Sequence, residues 1–286
     1  MARPMRFIFE TDDLSNASPA TVSRAGMVYL EPAMLGARTH FESWLQALMP
    51  LLAGPADDEK EGEPIDPRIP ERISQLFDVL FDQCAAFILE ECHPIVKCTE
   101  VQLARSLLSI LQSQLRQPEF LAECHEPKMR LDHIIQRIDM QFQFAMVWSL
   151  GVMADENGQK SFSAFMRKVT KTVHRIGEQT LRIEASCLIP EQGGQNVSEF
   201  LIDVVRWLNW RERLPRAPGP QYIPPALNPA QQIIIPTTEV LKLNCMLALS
   251  AKHSLPLLII GPTGTGKSST IKKFLNEATK DKRSSI

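Results

Sequence analysis

Gly261-Pro262-Thr263-Gly264-Thr265-Gly266-Lys267-Ser268 fits the phosphate-binding pattern GxxxxGK[ST], and the apolar run Leu255-Pro256-Leu257-Leu258-Ile259-Ile260 precedes it. The chemistry needs these residue types at this spacing. Glycines at 261, 264 and 266 let the backbone turn tightly and aim amide N–H groups at a phosphate, where a Cβ would obstruct approach. The loop then opens a helix whose N-terminal dipole favours an anion. Lys267 is the candidate for the β- and γ-phosphates, the Ser268 hydroxyl for one Mg²⁺ position, and Ser269 and Thr270 for further phosphate contacts. Pro262, Thr263 and Thr265 complete the candidate ATP-binding loop. The required context is a strand before and a helix after. Leu255 to Ile260 reads as the strand, and Ile271, Phe274 and Leu275 mark the apolar face of the helix. Eighteen residues follow Ser268, so the acidic groups of a hydrolytic site are expected beyond Ile286. A fortuitous glycine-rich turn is the plain alternative.

Composition bounds the rest. At 286 residues and 44% hydrophobic content, the chain can bury one or two cores. A formal net charge of −2 supplies no field for nucleic acid or anionic lipid, and no apolar run reaches the ~20 residues of a membrane span. No secretory leader is expected, because Arg3 and Arg6 precede no sustained apolar stretch. The six cysteines (Cys84, Cys92, Cys98, Cys124, Cys187 and Cys245) form no CxxC pair, which suits dispersed free thiols in a cytoplasmic chain. Cys92 and His93 alone make a poor zinc site.

Working back towards the N-terminus, Met5 to Phe9 and Met27 to Leu30 read as short strands around a polar loop. Pro32 suits the first turn of a helix reaching about Leu52. The charged run Asp57 to Glu63 reads as a solvated loop. Helical periodicity covers 71–91, 101–115, 131–152 and 161–176. Thr99 and Gln102 have capping-box spacing at the second of these, and Asp155 to Gly158 reads as a polar turn before the fourth. Phe144 and Trp148 are read as core residues. Prolines at 215, 218, 220, 224, 225 and 229 mark a linker, and a helix over 238–251 leads to the phosphate loop. The expected fold is α/β with a large α-helical part. Four segments follow: residues 1–31 as the end of an α/β core, 32–185 as a helical subdomain, 186–230 as a linker, and 231–286 as the start of a second α/β core.

The stretch Phe7 to Arg24, ending Ser18-Pro19-Ala20-Thr21-Val22-Ser23-Arg24, resembles the end of the second AAA+ module of dynein heavy chains, and most closely the axonemal ones. Phe144 to Gly151 resembles a helix of that module's small subdomain. Ile235 to Thr238, with the phosphate loop, resembles the start of the third module. The resemblance extends over nearly the whole chain, although 53–126 and 180–229 carry no diagnostic motif. It implies partial AAA+ P-loop NTPase modules, with a helical small subdomain between incomplete α/β cores.

It also implies a role for Arg24. In AAA+ rings an arginine just before the last core strand reaches the neighbouring module's ATP, and Arg24 stands in that place. A guanidinium suits this because it stays charged and offers a planar fork to phosphate oxygens. An exposed or capping arginine is the alternative. The family commonly has Cys-Gly next, where this chain has Ala25-Gly26. The acidic Glu10, Asp12 and Asp13 lie some 250 residues before the loop, so they are set aside as its metal-ordering acids. The resemblance further implies ATP and Mg²⁺ as cofactors, and neighbouring AAA+ modules, microtubules and dynein intermediate and light chains as partners of a longer heavy chain. It implies a cytoskeletal location in the axoneme of a cilium or flagellum. Another AAA+ ATPase, or a non-catalytic product that only binds partners, remain the alternatives.

Overall fold

The computed structural model describes residues 8–11, 13–30, 32–53, 65–126, 131–191, 194–214 and 236–284. Met5 to Phe7, Asp12, the run Asp57 to Glu63, the prolines 215–229 and Ile233 to Ile235 lie outside these residues.

A short helix α1 (Pro19–Arg24) is capped by Ser18, whose side chain accepts from the Thr21 amide. Helix α2 (Pro32–Leu52) follows, with a break at Gly36, where φ is 61° and ψ 168°. The middle of the chain supplies α3 (Arg68–Leu76), a widened π turn (Phe77–Phe81), α4 (Asp82–Glu90), α5 (Glu100–Leu115), α6 (Pro118–His125), α7 (Leu131–Ser149) and α8 (Glu156–Lys171). The Thr99–Gln102 capping box forms in both directions at the start of α5.

α5 and α7 form the central pair, with α2 packed on α5 and α3 on α7. Apolar residues at i, i+4 spacing meet there, Leu103, Leu107 and Leu111 on one helix and Ile138, Phe142 and Met146 on the other, all buried. Phe77 of the π turn stacks on Phe41 of α2 at 4.2 Å and on Phe81 at 4.7 Å between ring centroids. Such offset ring pairs contribute about 0.5–1.5 kcal/mol each beyond area burial. Phe144 is buried, while Trp148 is half-buried and meets the Trp210 ring edge-on at 6.4 Å.

α8 begins five residues before the expected start. Asp155 accepts from the Gly158 amide at 2.7 Å, so Asp155 to Gly158 is a helix cap and first turn. α8 also ends at Lys171, because His174–Ile176 (β1) turns away to pair antiparallel with Gln179–Leu181 (β2). Phe200–Asp203 (β3) pairs with Arg206–Asn209 (β4) in a second two-stranded hairpin. Within the segment read as a linker, residues 186–214 carry Cys187, Ile189, Val197, Phe200 and Trp210 in buried positions. Arg167 Nη2 ties that segment to α8 through the Pro190 and Gln195 carbonyls.

Two of the expected strands do not form among the described residues. Residues 27–30 and 255–260 have no ladder partner among the described residues, and Val28, Tyr29, Leu30 and Leu258 are largely exposed. A strand exists only through a neighbour's backbone, and β-prone composition cannot supply one. Further along the chain, α9 (Thr238–His253) is capped by the Thr237 hydroxyl, and α10 (Lys267–Ser284) packs against it.

Candidate nucleotide site

The phosphate loop joins two helices that the sequence starts and stops locally. α9 ends at Ser254, which adopts the left-handed conformation at φ 53° and donates its amide to the Ser250 carbonyl. Residues 255–260 then run without regular secondary structure to Gly261. Gly264 (φ 86°) and Gly266 (φ 80°) turn the chain through the left-handed region, which costs other residues about 1–2 kcal/mol each. A Cβ at either would meet nothing within 4 Å. The need for glycine at 264 and 266 is therefore conformational, and the space above them is open to a ligand. Gly261 differs, since a Cβ there would stand in ordinary contact with the Lys267 side chain, 3.7 Å from its Cδ.

Lys267 occupies the loop it serves. Its Nζ donates to the Gly261 carbonyl at 2.8 Å, to the Pro262 carbonyl, and to Thr265 Oγ1 at 3.1 Å. Thr265 Oγ1 in turn donates to the Pro262 carbonyl at 2.9 Å. The Ser268 side chain is exposed and that of Ser269 half-buried at the start of α10. Thr270 is buried, and its hydroxyl is spent on the Gly266 carbonyl at 3.0 Å, which removes it from the expected phosphate contacts. No acidic residue lies in the first turn of α10, so the helix dipole there is not opposed. The apolar face expected after the loop is only partly covered: Ile271 and Phe274 are half-buried, and Leu275 is exposed.

The open space over two left-handed glycines, a primary ammonium bonded only to neutral oxygens of the loop and an exposed hydroxyl beside it fit a Mg²⁺-bound nucleoside triphosphate. Among the described residues no group of three or more His, Cys, Asp or Glu side chains could hold a metal by itself. The six cysteines are free. No helix of the described residues is long and apolar enough to cross a membrane.

Arg24 ends α1, exposed, and its guanidinium makes no hydrogen bond or ion pair among the described residues. The structure does not bring it to the phosphate loop. The residue missed by sequence reasoning is Lys242 of α9, which is buried and ion-paired to both Glu239 and the distant Glu199. Its spacing from Glu239 is a visible i, i+3 pair, but no local signal points to Glu199.

Comparison with known proteins agrees with this geometry. Residues 73–212 match the model of the dynein heavy chain AAA lid domain, and residues 222–286 match that of the P-loop containing dynein motor region. Human dynein axonemal heavy chain 1 is 31% identical over 95% of this chain and 6% of its own length. Mouse dynein axonemal heavy chain 12 is 31% identical over 99% of this chain and 8% of its own. Human dynein axonemal heavy chain 2 is 28% identical over 96% and 5%. The chain thus spans less than a tenth of the length of the curated relatives it matches. With an AAA lid followed by a P-loop on which a lysine and two left-handed glycines converge, the chain belongs to the dynein heavy chain family and carries part of its AAA+ motor region.

Proposed function

We propose that this chain is the joint between the second and third AAA+ modules of an axonemal dynein heavy chain, and that it binds ATP with Mg²⁺ at Gly261 to Ser269. The observation that carries this reading is Lys267, held by the Gly261 and Pro262 carbonyls at the head of an unopposed helix dipole. In this reading residues 1–31 close the second module's α/β core, 32–185 with the hairpins packed on them form its lid, and 231–286 open the third module.

Phosphate oxygens offer Lys267 a charged acceptor in place of neutral carbonyls, which adds the attraction of opposite charges to the hydrogen bond. The amides of the loop and of the first turn of α10 lack intrahelical acceptors and would bond the same anion. Ser268 supplies the hydroxyl for Mg²⁺. The bound nucleotide supplies the transferable phosphoryl group. Arg24 is proposed as the arginine finger for the preceding module's site, a role suited to a guanidinium with no other partner among the described residues. The parent protein then couples ATP hydrolysis to minus-end-directed movement along microtubules in cilia or flagella. Its partners there are the neighbouring modules, microtubules and intermediate and light chains.

Titration with a fluorescent ATP analogue tests the binding. We expect saturable, Mg²⁺-dependent binding to the wild-type chain and a loss of about 10–100-fold on Lys267→Ala, the worth of a hydrogen bond to a charged group. Equal binding by the variant would overturn the assignment. In the full heavy chain, Arg24→Ala should slow ATP turnover, and unchanged turnover removes the finger role.

A further inference from the structure

We infer that Lys242 and Glu199 form a charged latch that holds the phosphate-loop segment in register on the helical lid. α9 runs directly into residues 254–266, so whatever fixes α9 fixes the loop. Lys242 is 7% exposed, unusual for a lysine, and its Nζ lies 2.6 Å from Glu199 Oε1 and 2.8 Å from Glu239 Oε1. The two carboxylates are not equivalent. Glu239 is on the same helix with its side chain 76% exposed, where solvent screens the pair. Glu199 precedes β3, 43 residues away, with its side chain 24% exposed, and it is the partner that joins the lid to α9.

The rest of α9 is mostly half-buried. Besides Lys242, only Met246 is buried on α9, one turn further along, where the helix lies against the turn Trp210–Arg213. At the far end, His253 and Leu255 border a small cavity of about 80 Å³ with Ser109, Gln112, Ser113 and Arg116 around the end of α5. Met246 is the buried apolar residue of α9, with Leu241, Leu243, Cys245, Leu247 and Leu249 half-buried, and the buried ion pair adds the directional contact that sets the register. A desolvated ammonium deprived of its buried counter-charge cannot stay in place without cost, so loss of Glu199 should release α9 from the lid.

The latch is a statement about the chain without nucleotide; its consequence for the site rests on the reading above. Hydrogen exchange of the full 286-residue chain, without nucleotide, tests it. Glu199→Gln should speed amide exchange over 238–270 by about tenfold or more, while α5 and α7 keep wild-type protection. Glu239→Gln should change the same amides less than about twofold, as an exposed pair does. Lys242→Met, which keeps the buried stem, should reproduce Glu199→Gln. Equal effects of the two glutamine variants, no effect of Glu199→Gln, or a rise spread through α5 and α7 would each overturn the latch. A chain that fails to bind nucleotide but shows the exchange pattern would sink the nucleotide reading and leave the latch standing.

Discussion

Arg72 grips Asp139 with both prongs of its guanidinium, Nε on Oδ1 and Nη2 on Oδ2, each at 2.7 Å, and so ties α3 to α7 across 67 residues of sequence. The same Nη2 donates to the Arg182 carbonyl at 2.9 Å, which brings the segment after β2 into the same knot. Burial pushes the Asp139 carboxyl up from its ordinary range, and the Arg72 fork pulls it back. Removing one member of such a pair leaves a charge stranded in the lid. Asp139→Asn should therefore lower stability by about 3–5 kcal/mol, and the double change Asp139→Leu with Arg72→Met should recover most of it. Urea unfolding measures both; a single variant that unfolds with wild type would show that the pair contributes nothing.

Gly266→Ala places a Cβ on a residue at φ 80° where space is open, so the penalty is backbone strain of about 1–2 kcal/mol, concentrated in the loop. Nucleotide affinity should fall about 5–30-fold while the helical core melts as before. Gly264→Ala should behave alike. A shift in lid melting, with affinity intact, would contradict this division.

Gly158 is limited by space rather than by φ. A Cβ there would stand 2.8 Å from Ala154 Cβ and 2.9 Å from the Cys92 carbonyl oxygen, in the first turn of α8. Gly158→Ala should destabilise the lid by about 1–3 kcal/mol, the usual cost of overpacking, read as an earlier thermal midpoint. A variant as stable as wild type would mean the turn can shift at no cost.

Acid should weaken the start of α3. Arg68 binds Asp66 through its side chain, at 2.8 Å from Nη2 to Oδ2, and through its amide, holding the Asp66 carboxyl down at about 2. The folded value lies below the ordinary 3.8, so the unfolded chain binds the proton first. The contribution is complete above about pH 4 and is lost as pH falls from there towards about 2. Asp66→Asn should flatten that part of the stability profile and leave the profile above pH 5 parallel to wild type. An unchanged acid limb would rule out this pair as its source.

What the chain's sequence determined unaided is local in origin. The Thr99–Gln102 capping box, the Thr237 cap, the central helices and the glycine-dependent loop before Lys267 all depend on groups within a few residues of one another, and each appears where the spacing puts it. The Asp155 cap was equally local, but Asp155 to Gly158 also has the composition of a turn, and only the Gly158 amide turned towards Asp155 separates the two readings. Tertiary structure decided the rest, because it depends on partners far along the chain. The β-prone runs at 27–30 and 255–260 find no pairing backbone among the described residues. Residues 186–191 and 194–214 fold onto the lid because Phe200 and Trp210 find apolar cover there and Arg167 finds two carbonyls. Lys242 is buried only because Glu199, 43 residues distant, arrives beside it. Periodicity and capping can be read along a chain, whereas desolvation and its compensation exist only once remote segments have met.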